Sequence, residues 1–128
     1  MATAIKTPRT IVASSILAAT GTVRGTLGLQ TALGGILTFA ILNGSVGPAT
    51  QCVANILVAH NSALPAAGSA GATWKTIYSV GNDITANTFG QWSYVIGPEV
   101  ENLEVEFTGN TVQSVTVEAF FTEITSIG

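Results

Sequence analysis

The sequence predicts an all-β protein, an antiparallel β-sandwich of jelly-roll-like type with an extended N-terminal arm. Three observations predict it. Apolar and polar residues alternate in short runs, the period of a strand with one dry face. Gly, Pro and Asn punctuate these runs about every eight to twelve residues, the spacing of sandwiches and jelly rolls. No run carries the apolar stripe of an amphipathic helix. A chain of 128 residues is expected to form one domain with a real core. Residues 1–21 are assigned to the arm and residues 22–128 to a single sandwich domain.

Met1 to Thr10 is polar, and Pro8 discourages a helix. Its one sizeable apolar anchor beyond Met1 is Ile5. Ordering such a segment costs about 1–2 kcal/mol per residue in backbone entropy, so contacts outside it must compensate. We expect the arm to lie across a neighbouring subunit, with Lys6 or Arg9 near carboxylates or carbonyls there. The alternative is that it folds back along an edge strand of its own sandwich. Ile11 to Leu17 reads as a short strand or a helical turn. The run Ile11–Ala19 behind Lys6 and Arg9 imitates a secretory leader, but it is short and broken by Ser14 and Ser15.

Thr22 to Gln30 alternates loosely and holds two glycines, which suits an edge strand or a bulge. Gly34-Gly35 reads as a turn. Ile36 to Leu42 is apolar on both faces, as expected in the middle of a sheet covered on both sides. Asn43-Gly44 ends it. Thr50 to Ala59 is a similar run. Asn61 to Thr73 is small, flexible and uncharged, and is expected to be a contact loop or a linker. Trp74 to Val80 then places Trp74, Thr76, Tyr78 and Val80 on one face. Gly81-Asn82-Asp83 turns the chain, and Gln91 to Ile96 groups Trp92, Tyr94 and Ile96. In the last stretch Leu103, Val105 and Phe107 alternate with Glu104 and Glu106. Thr108-Gly109-Asn110-Thr111 is a turn signal, because Gly and Asn tolerate positive φ. Val115, Val117 and Ala119 then alternate with Ser114, Thr116 and Glu118. The two runs predict an antiparallel hairpin. Val105, Phe107, Val115 and Val117 are expected in the core, with Glu104, Glu106, Thr116 and Glu118 on the wet side.

Charge narrows the function classes. Only 9% of the chain is charged, against about 25% in ordinary soluble domains. Gly25 to Trp74 contains no Lys, Arg, Asp or Glu. Surface charge keeps monomers dispersed, so such a chain is expected to bury surface against other subunits. The net charge of −3 argues against a specific nucleic-acid partner. Lys6, Arg9 and Arg24 nevertheless stand together at the N-terminal end, and all seven acids lie from Asp83 onward. Lys6, Arg9 and Arg24 are therefore the candidate subunit contacts. Leu27 to Leu42 is apolar but carries Gln30, Thr31 and Thr38, and falls short of the about 20 residues a membrane helix needs. No membrane partner is expected.

The residues suited to chemistry are few. Cys52 is the single cysteine, so it forms no intrachain disulfide and reads as a buried thiol. His60 is the single histidine, at a strand end, without the cluster a transition metal requires. No nucleophile elbow, phosphate-cradling loop or zinc-protease motif is present. Neither catalytic residues, nor a metal, nor a cofactor are expected. Glu104 and Glu106, with Glu118 opposite, form a candidate acidic face. Such carboxylates hydrolyse glycosides, hold Ca²⁺, contact a subunit, or simply keep a sheet soluble. Trp74, Trp92, Tyr78 and Tyr94 suit core packing, with an exposed aromatic for sugar as the other reading.

One resemblance carries the functional expectation. Gly34-Gly35-Ile36-Leu37-Thr38-Phe39-Ala40-Ile41-Leu42-Asn43-Gly44, the long strand after it, the strand led by Trp74 and the segment Val100 to Ala119 resemble small virion structural proteins of tailed bacteriophages. Such proteins occur as head decoration (cement) proteins and as neck or tail accessory proteins. The resemblance spans about Thr22 to Thr125 and is one of pattern and composition. Where an Asp-Gly turn commonly precedes the Trp strand, this chain has Gly71-Ala72-Thr73. The resemblance implies a non-enzymatic homo-oligomer, a trimer if seated on a threefold position, bound to a major capsid or neck/tail protein. It favours the head surface of the virion. The alternative is a carbohydrate-binding or adaptor module on a phage tail or neck appendage. An exposed aromatic platform would mark the second reading, and ordered arms with large apolar contact patches the first.

Overall fold

The computed structural model describes residues 3–68 and 70–127. Met1 and Ala2 of the expected arm, Ser69 of the expected loop, and Gly128 lie outside the described residues. Among the described residues eight strands follow one another: β1 (Ala4–Leu17), β2 (Thr22–Gly28), β3 (Gly35–Asn43), β4 (Val53–Ala59), β5 (Lys75–Gly81), β6 (Phe89–Ile96), β7 (Asn102–Thr108) and β8 (Val115–Ile127). They form two four-stranded antiparallel sheets, β1-β8-β3-β6 and β2-β7-β4-β5. The pairs β1/β8, β2/β7, β3/β6 and β4/β5 are nested. The chain is thus one ribbon doubled back at the β4–β5 connection and rolled so that alternate pairs enter opposite sheets. That is the jelly-roll path.

The core lies between the sheets and follows the strand period. Leu37, Phe39 and Ile41 of β3, with Val117, Ala119 and Phe121 of β8, face Ala54, Ile56 and Val58 of β4 and Leu103, Val105 and Phe107 of β7. Each large side chain removed from water contributes about 1.5–3 kcal/mol. Gly25 marks a place where the sheets nearly touch: a Cβ there would sit 2.0 Å from the Ile11 carbonyl oxygen.

The connection from β7 to β8 corrects the expected hairpin. Gly109 does take positive φ, at 99°. The chain then crosses to the other sheet, and β7 pairs with β2 and β4, while β8 pairs with β1 and β3. Asn110 is fully buried, and its Nδ2 donates to the carbonyls of Leu17, Ala18 and Gln113. This amide ties the arch to the β1–β2 corner, so the asparagine serves a side-chain bond and not the left-handed turn expected of it.

β5 also departs from its expected pattern. A register shift between Ile56 and Leu57 sets Tyr78 and Val80 opposite the core residues Ile56 and Ala54, but Thr76 opposite outward-facing Leu57. A bulge thus splits the face that simple alternation assigns to Trp74, Thr76, Tyr78 and Val80. Trp74 packs outside the sandwich against Leu57 and Ala59.

Of the two courses open to the arm, the described residues take the fold-back. Ala4–Leu17 is an edge strand running the length of β8, with irregularities in register near Ile5, between Thr10 and Val12, and between Val12 and Ser15. Backbone pairing with β8 compensates the ordering entropy that its few apolar side chains cannot.

Candidate functional site

The two sheets differ in what covers their outer faces, and this difference locates the candidate functional surface. On the β2-β7-β4-β5 sheet the chain makes its own cover. The described residues of the loop from Asn61 to Thr73, 61–68 and 70–73, lie over the outward side chains of β4 and β7. Asn102 Nδ2 donates to the Asn61 carbonyl at 2.8 Å, the Gly68 N–H donates to Glu104 Oε1 at 2.9 Å, and Trp74 Nε1 donates to the Ala66 carbonyl at 2.8 Å. Trp74, Leu57 and Ala59 form a small apolar cluster beneath this loop.

Under that cover the expected wet face of β7 is buried. Asn102 to Phe107 are all buried, Glu104 completely so. Glu106 Oε2 accepts from Arg24 Nε at 2.8 Å, and its Oε1 accepts from Asn55 Nδ2 at 2.9 Å. Asn55 Oδ1 in turn accepts from Ser79 Oγ at 2.6 Å. Burial of the charge is tolerated because paired, hydrogen-bonded carboxylates recover what desolvation costs. Glu104 is less well served. Its Oε2 has no hydrogen-bond partner. Burial pushes its carboxyl above the ordinary carboxylate range, opposed by the Gly68 N–H and the Arg24 charge and helped by the nearby Glu106.

The candidate acidic face therefore does not exist as one surface. Glu104 and Glu106 belong to the covered outer face of one sheet, and Glu118 belongs to the outer face of the other, half-buried beside Ala40. The three carboxylates are not brought together to hold an ion or a sugar. Two of the candidate subunit contacts are engaged within the chain: Arg9 Nη1 donates to Glu123 Oε1 at 2.9 Å, and Arg24 binds Glu106. Lys6 is exposed on the outer side of β1, opposite Ile124. Cys52 is buried and its thiol is pushed up to about 12 by desolvation, against a lowering contribution from a Thr108 backbone bond. His60 is exposed at the end of β4. Among the described residues no cluster of three His, Cys, Asp or Glu has metal-binding geometry, and no helix is long and apolar enough to cross a membrane.

Among the described residues, the outer face of the β1-β8-β3-β6 sheet has no such cover. Strand register orders its outward residues in rows. Ile16, Thr116, Leu42 and Phe89 form the first row. Glu118, Ala40 and Gln91 form the second, where Ala40 floors a depression of roughly 120 Å³ beside Leu42, Phe89 and Ser14. Thr10, Phe120, Thr38 and Ser93 form the third, and Pro8, Thr122, Ile36 and Val95 the fourth. Lys6 and Ile124 close it. Ile16 and Val95 are each 77% exposed, Phe89 56%, and Phe120 40%. Glu118 is the one acid and Lys6 the one base of these five rows. Sequence alternation marked Ile36 to Leu42 as apolar on both faces. The expectation that both faces are covered holds only for the inner one, since Ile36 and Leu42 remain exposed.

No protein-family model matches the chain, and no curated protein matches it in sequence. Solved structures match in fold. The VP2 subviral particle protein of infectious bursal disease virus is similar over 95% of this chain, with a TM-score of 0.56 and 11% identity. This chain spans only 33% of that protein. A cleaved adhesin domain of Lys-gingipain from Porphyromonas gingivalis matches 98% of this chain and 91% of its own, with a TM-score of 0.56 and 10% identity. A family 29 carbohydrate-binding module from Piromyces equi matches 94% and 91%, with a TM-score of 0.50 and 8% identity. At these identities the likeness is one of fold: a β-sandwich that occurs also in a viral subviral-particle protein, an adhesin domain and a carbohydrate-binding module.

Proposed function

We propose that this protein is a non-enzymatic virion structural protein, a decoration (cement) protein that clamps neighbouring subunits of a capsid lattice on the head surface. The observation that carries the reading is the asymmetry of the two outer faces. The chain covers the middle of one face, over β4 and β7, with its own loop, and leaves the other broad, nearly uncharged and bearing several exposed apolar side chains among its threonines and serine. Exposed apolar side chains grouped on one face mark contact with another chain, a further copy of this one included. The shared fold with the subviral-particle protein VP2 of a virus and the phage-like sequence pattern support the same reading. Stabilisation would come from modest contacts repeated by symmetry, so that avidity does what no single contact does. The partners are further copies of the chain and the major capsid or a neck/tail protein.

The test is made on purified virions. Mass spectrometry and gold labelling should find the protein on the head at a fixed symmetric copy number. Adding it back to particles that lack it should raise the temperature at which they release their genome. Its absence from purified particles would remove the reading.

One observation favours a second reading, a carbohydrate-binding or adaptor module on a tail or neck appendage. Tyr78 and Tyr94 lie with ring centroids 5.4 Å apart, from edge strands of the two sheets, and Tyr78 is partly exposed. The exposed part of Tyr78 offers an apolar ring face with a polar hydroxyl, the amphipathic surface a sugar ring can meet. A glycan titration that Tyr78→Ala abolishes would favour this module over the lattice protein.

A further inference from the structure

We propose that the outer face of the β1-β8-β3-β6 sheet is a twofold contact between two copies of this chain, in which Lys6 of each copy meets Glu118 of the other. The proposal deepens the lattice reading and takes its setting from it, but the geometry is that of the face alone.

The charges select the pairing. Among the described residues the ion pairs are Arg9–Glu123 and Arg24–Glu106, so neither Lys6 nor Glu118 is neutralised by these. Lys6 stands opposite Ile124, three outward rows from Glu118 and one strand aside. Rows lie about 6.7 Å apart and strands about 4.8 Å apart, so the two charges are separated by about 20 Å along the sheet. A twofold axis lying in the interface, across the strands, between the rows of Phe120 and Thr122, reverses the order of the rows. It carries Lys6 of one copy to within about 5 Å, measured along the sheet, of Glu118 in the other. A lysine stem bridges that offset. By symmetry the contact forms twice. An axis running along the strands does the opposite: it superposes the Glu118 rows of both copies, and like charges across an interface are strongly unfavourable.

The same operation matches the apolar residues. Ile16, in the first row, falls over Ile5, which pairs with Ser126 beyond the last row. Phe120 falls over Thr122 of the other copy, between Pro8 and Ile36. The face is about 20 Å across and 27 Å along, or about 500 Å² in plan per copy. Two copies together reach about 1,000 Å², the lower bound for a specific interface. Sheets stacked face to face sit about 10 Å apart with strand directions within about 30°, which antiparallel copies satisfy.

Sedimentation equilibrium of the full chain tests it. The wild type should form an even-numbered assembly, and Phe120→Lys should halve its mass with the melting temperature unchanged. Glu118→Lys and Lys6→Glu should each raise the dissociation constant about tenfold or more, and the double variant should return it to within about threefold of wild type. The double exchange keeps the test meaningful if a single variant folds poorly. Three results overturn the pairing: a monomer at about 100 µM, an odd-numbered assembly, or a double exchange no tighter than its singles. A monomer that instead uses this face to bind capsid protein or lipid vesicles overturns it too. In each case the lattice reading stands if the protein is found on particles. A dimer with these responses that is absent from particles overturns the lattice reading alone.

Discussion

Phe107 and Glu104 are three residues apart on one strand and show how differently two fully buried side chains behave. Phe107 fills the core between the sheets. Phe107→Ala should cost about 3–5 kcal/mol, the usual loss for an emptied aromatic site, read as a lower midpoint in urea. Glu104 is buried under the loop with one oxygen unpartnered. Its folded carboxyl titrates above the unfolded value of 4.5. The native state therefore binds that proton more tightly than the unfolded chain. Its contribution is fully present below the unfolded pKa and is lost as pH rises through the folded one. Glu104→Gln removes this dependence. The variant should change stability far less than Phe107→Ala, and the difference from wild type should grow in its favour above pH 4.5. Thermal melts across pH 4 to 8 check the sign; a parallel offset at every pH would contradict it. Arg24→Ala leaves Glu106 with a buried, partly unpaired charge. The expected loss is about 2–3 kcal/mol, below that of a wholly buried pair, because the Arg24 side chain keeps 32% of its surface in water. Chemical denaturation of the two proteins measures it.

At the scale of the element, β1 is the strand whose role the fold changes most. Its first half, Ala4 to Thr10, pairs with Phe120 to Ile127, and Arg9 neutralises buried Glu123. Deleting residues 2–10 removes that half of the ladder, opens an edge on β8 and leaves Glu123 unpaired. The expected outcome is a large fall in the melting temperature of the isolated domain. A truncated protein that melts with the wild type would show β1 to be an accessory and return the arm to a role between subunits. β7 shows the opposite case. Its alternation is correct, yet its polar side is covered, because Arg24, Asn55 and the Gly68 N–H come from three other parts of the chain.

At the scale of the molecule, the low charge content and the bare sheet face are one property seen twice. A charged share of 9%, against the usual about 25%, would be hard to interpret if the apolar residues were all inward; here several of them stand on one outer face. The isolated protein should therefore bind a hydrophobic dye at low concentration. Replacing Ile16 and Val95, each 77% exposed, by lysine should reduce that fluorescence sharply and leave the melting temperature nearly unchanged, since surface substitutions typically alter stability by under about 0.5 kcal/mol. Unchanged dye binding would place the accessible apolar surface elsewhere, at Val46, Leu64 or Val112, which are also exposed.

By itself the sequence determined the fold class, most strand positions and the inward set Val105, Phe107, Val115 and Val117. These follow from local alternation and turn chemistry, which act over a few residues. Tertiary structure alone decided which strands pair. Alternation is identical for a hairpin and for an arch between sheets, so the residues around Gly109 and Asn110 cannot distinguish β7 beside β8 from β7 beside β2 and β4. It also decided the fate of the charges. Arg24 and Glu106 are 82 residues apart, and Gly68 and Glu104 are 36 apart. A glutamate at an outward position is wet or buried according to what a distant loop covers, and that depends on how the whole ribbon rolls. The bare face has the same origin: Leu42, Phe89, Phe120 and Val95 become one surface only when β3, β6 and β8 lie side by side.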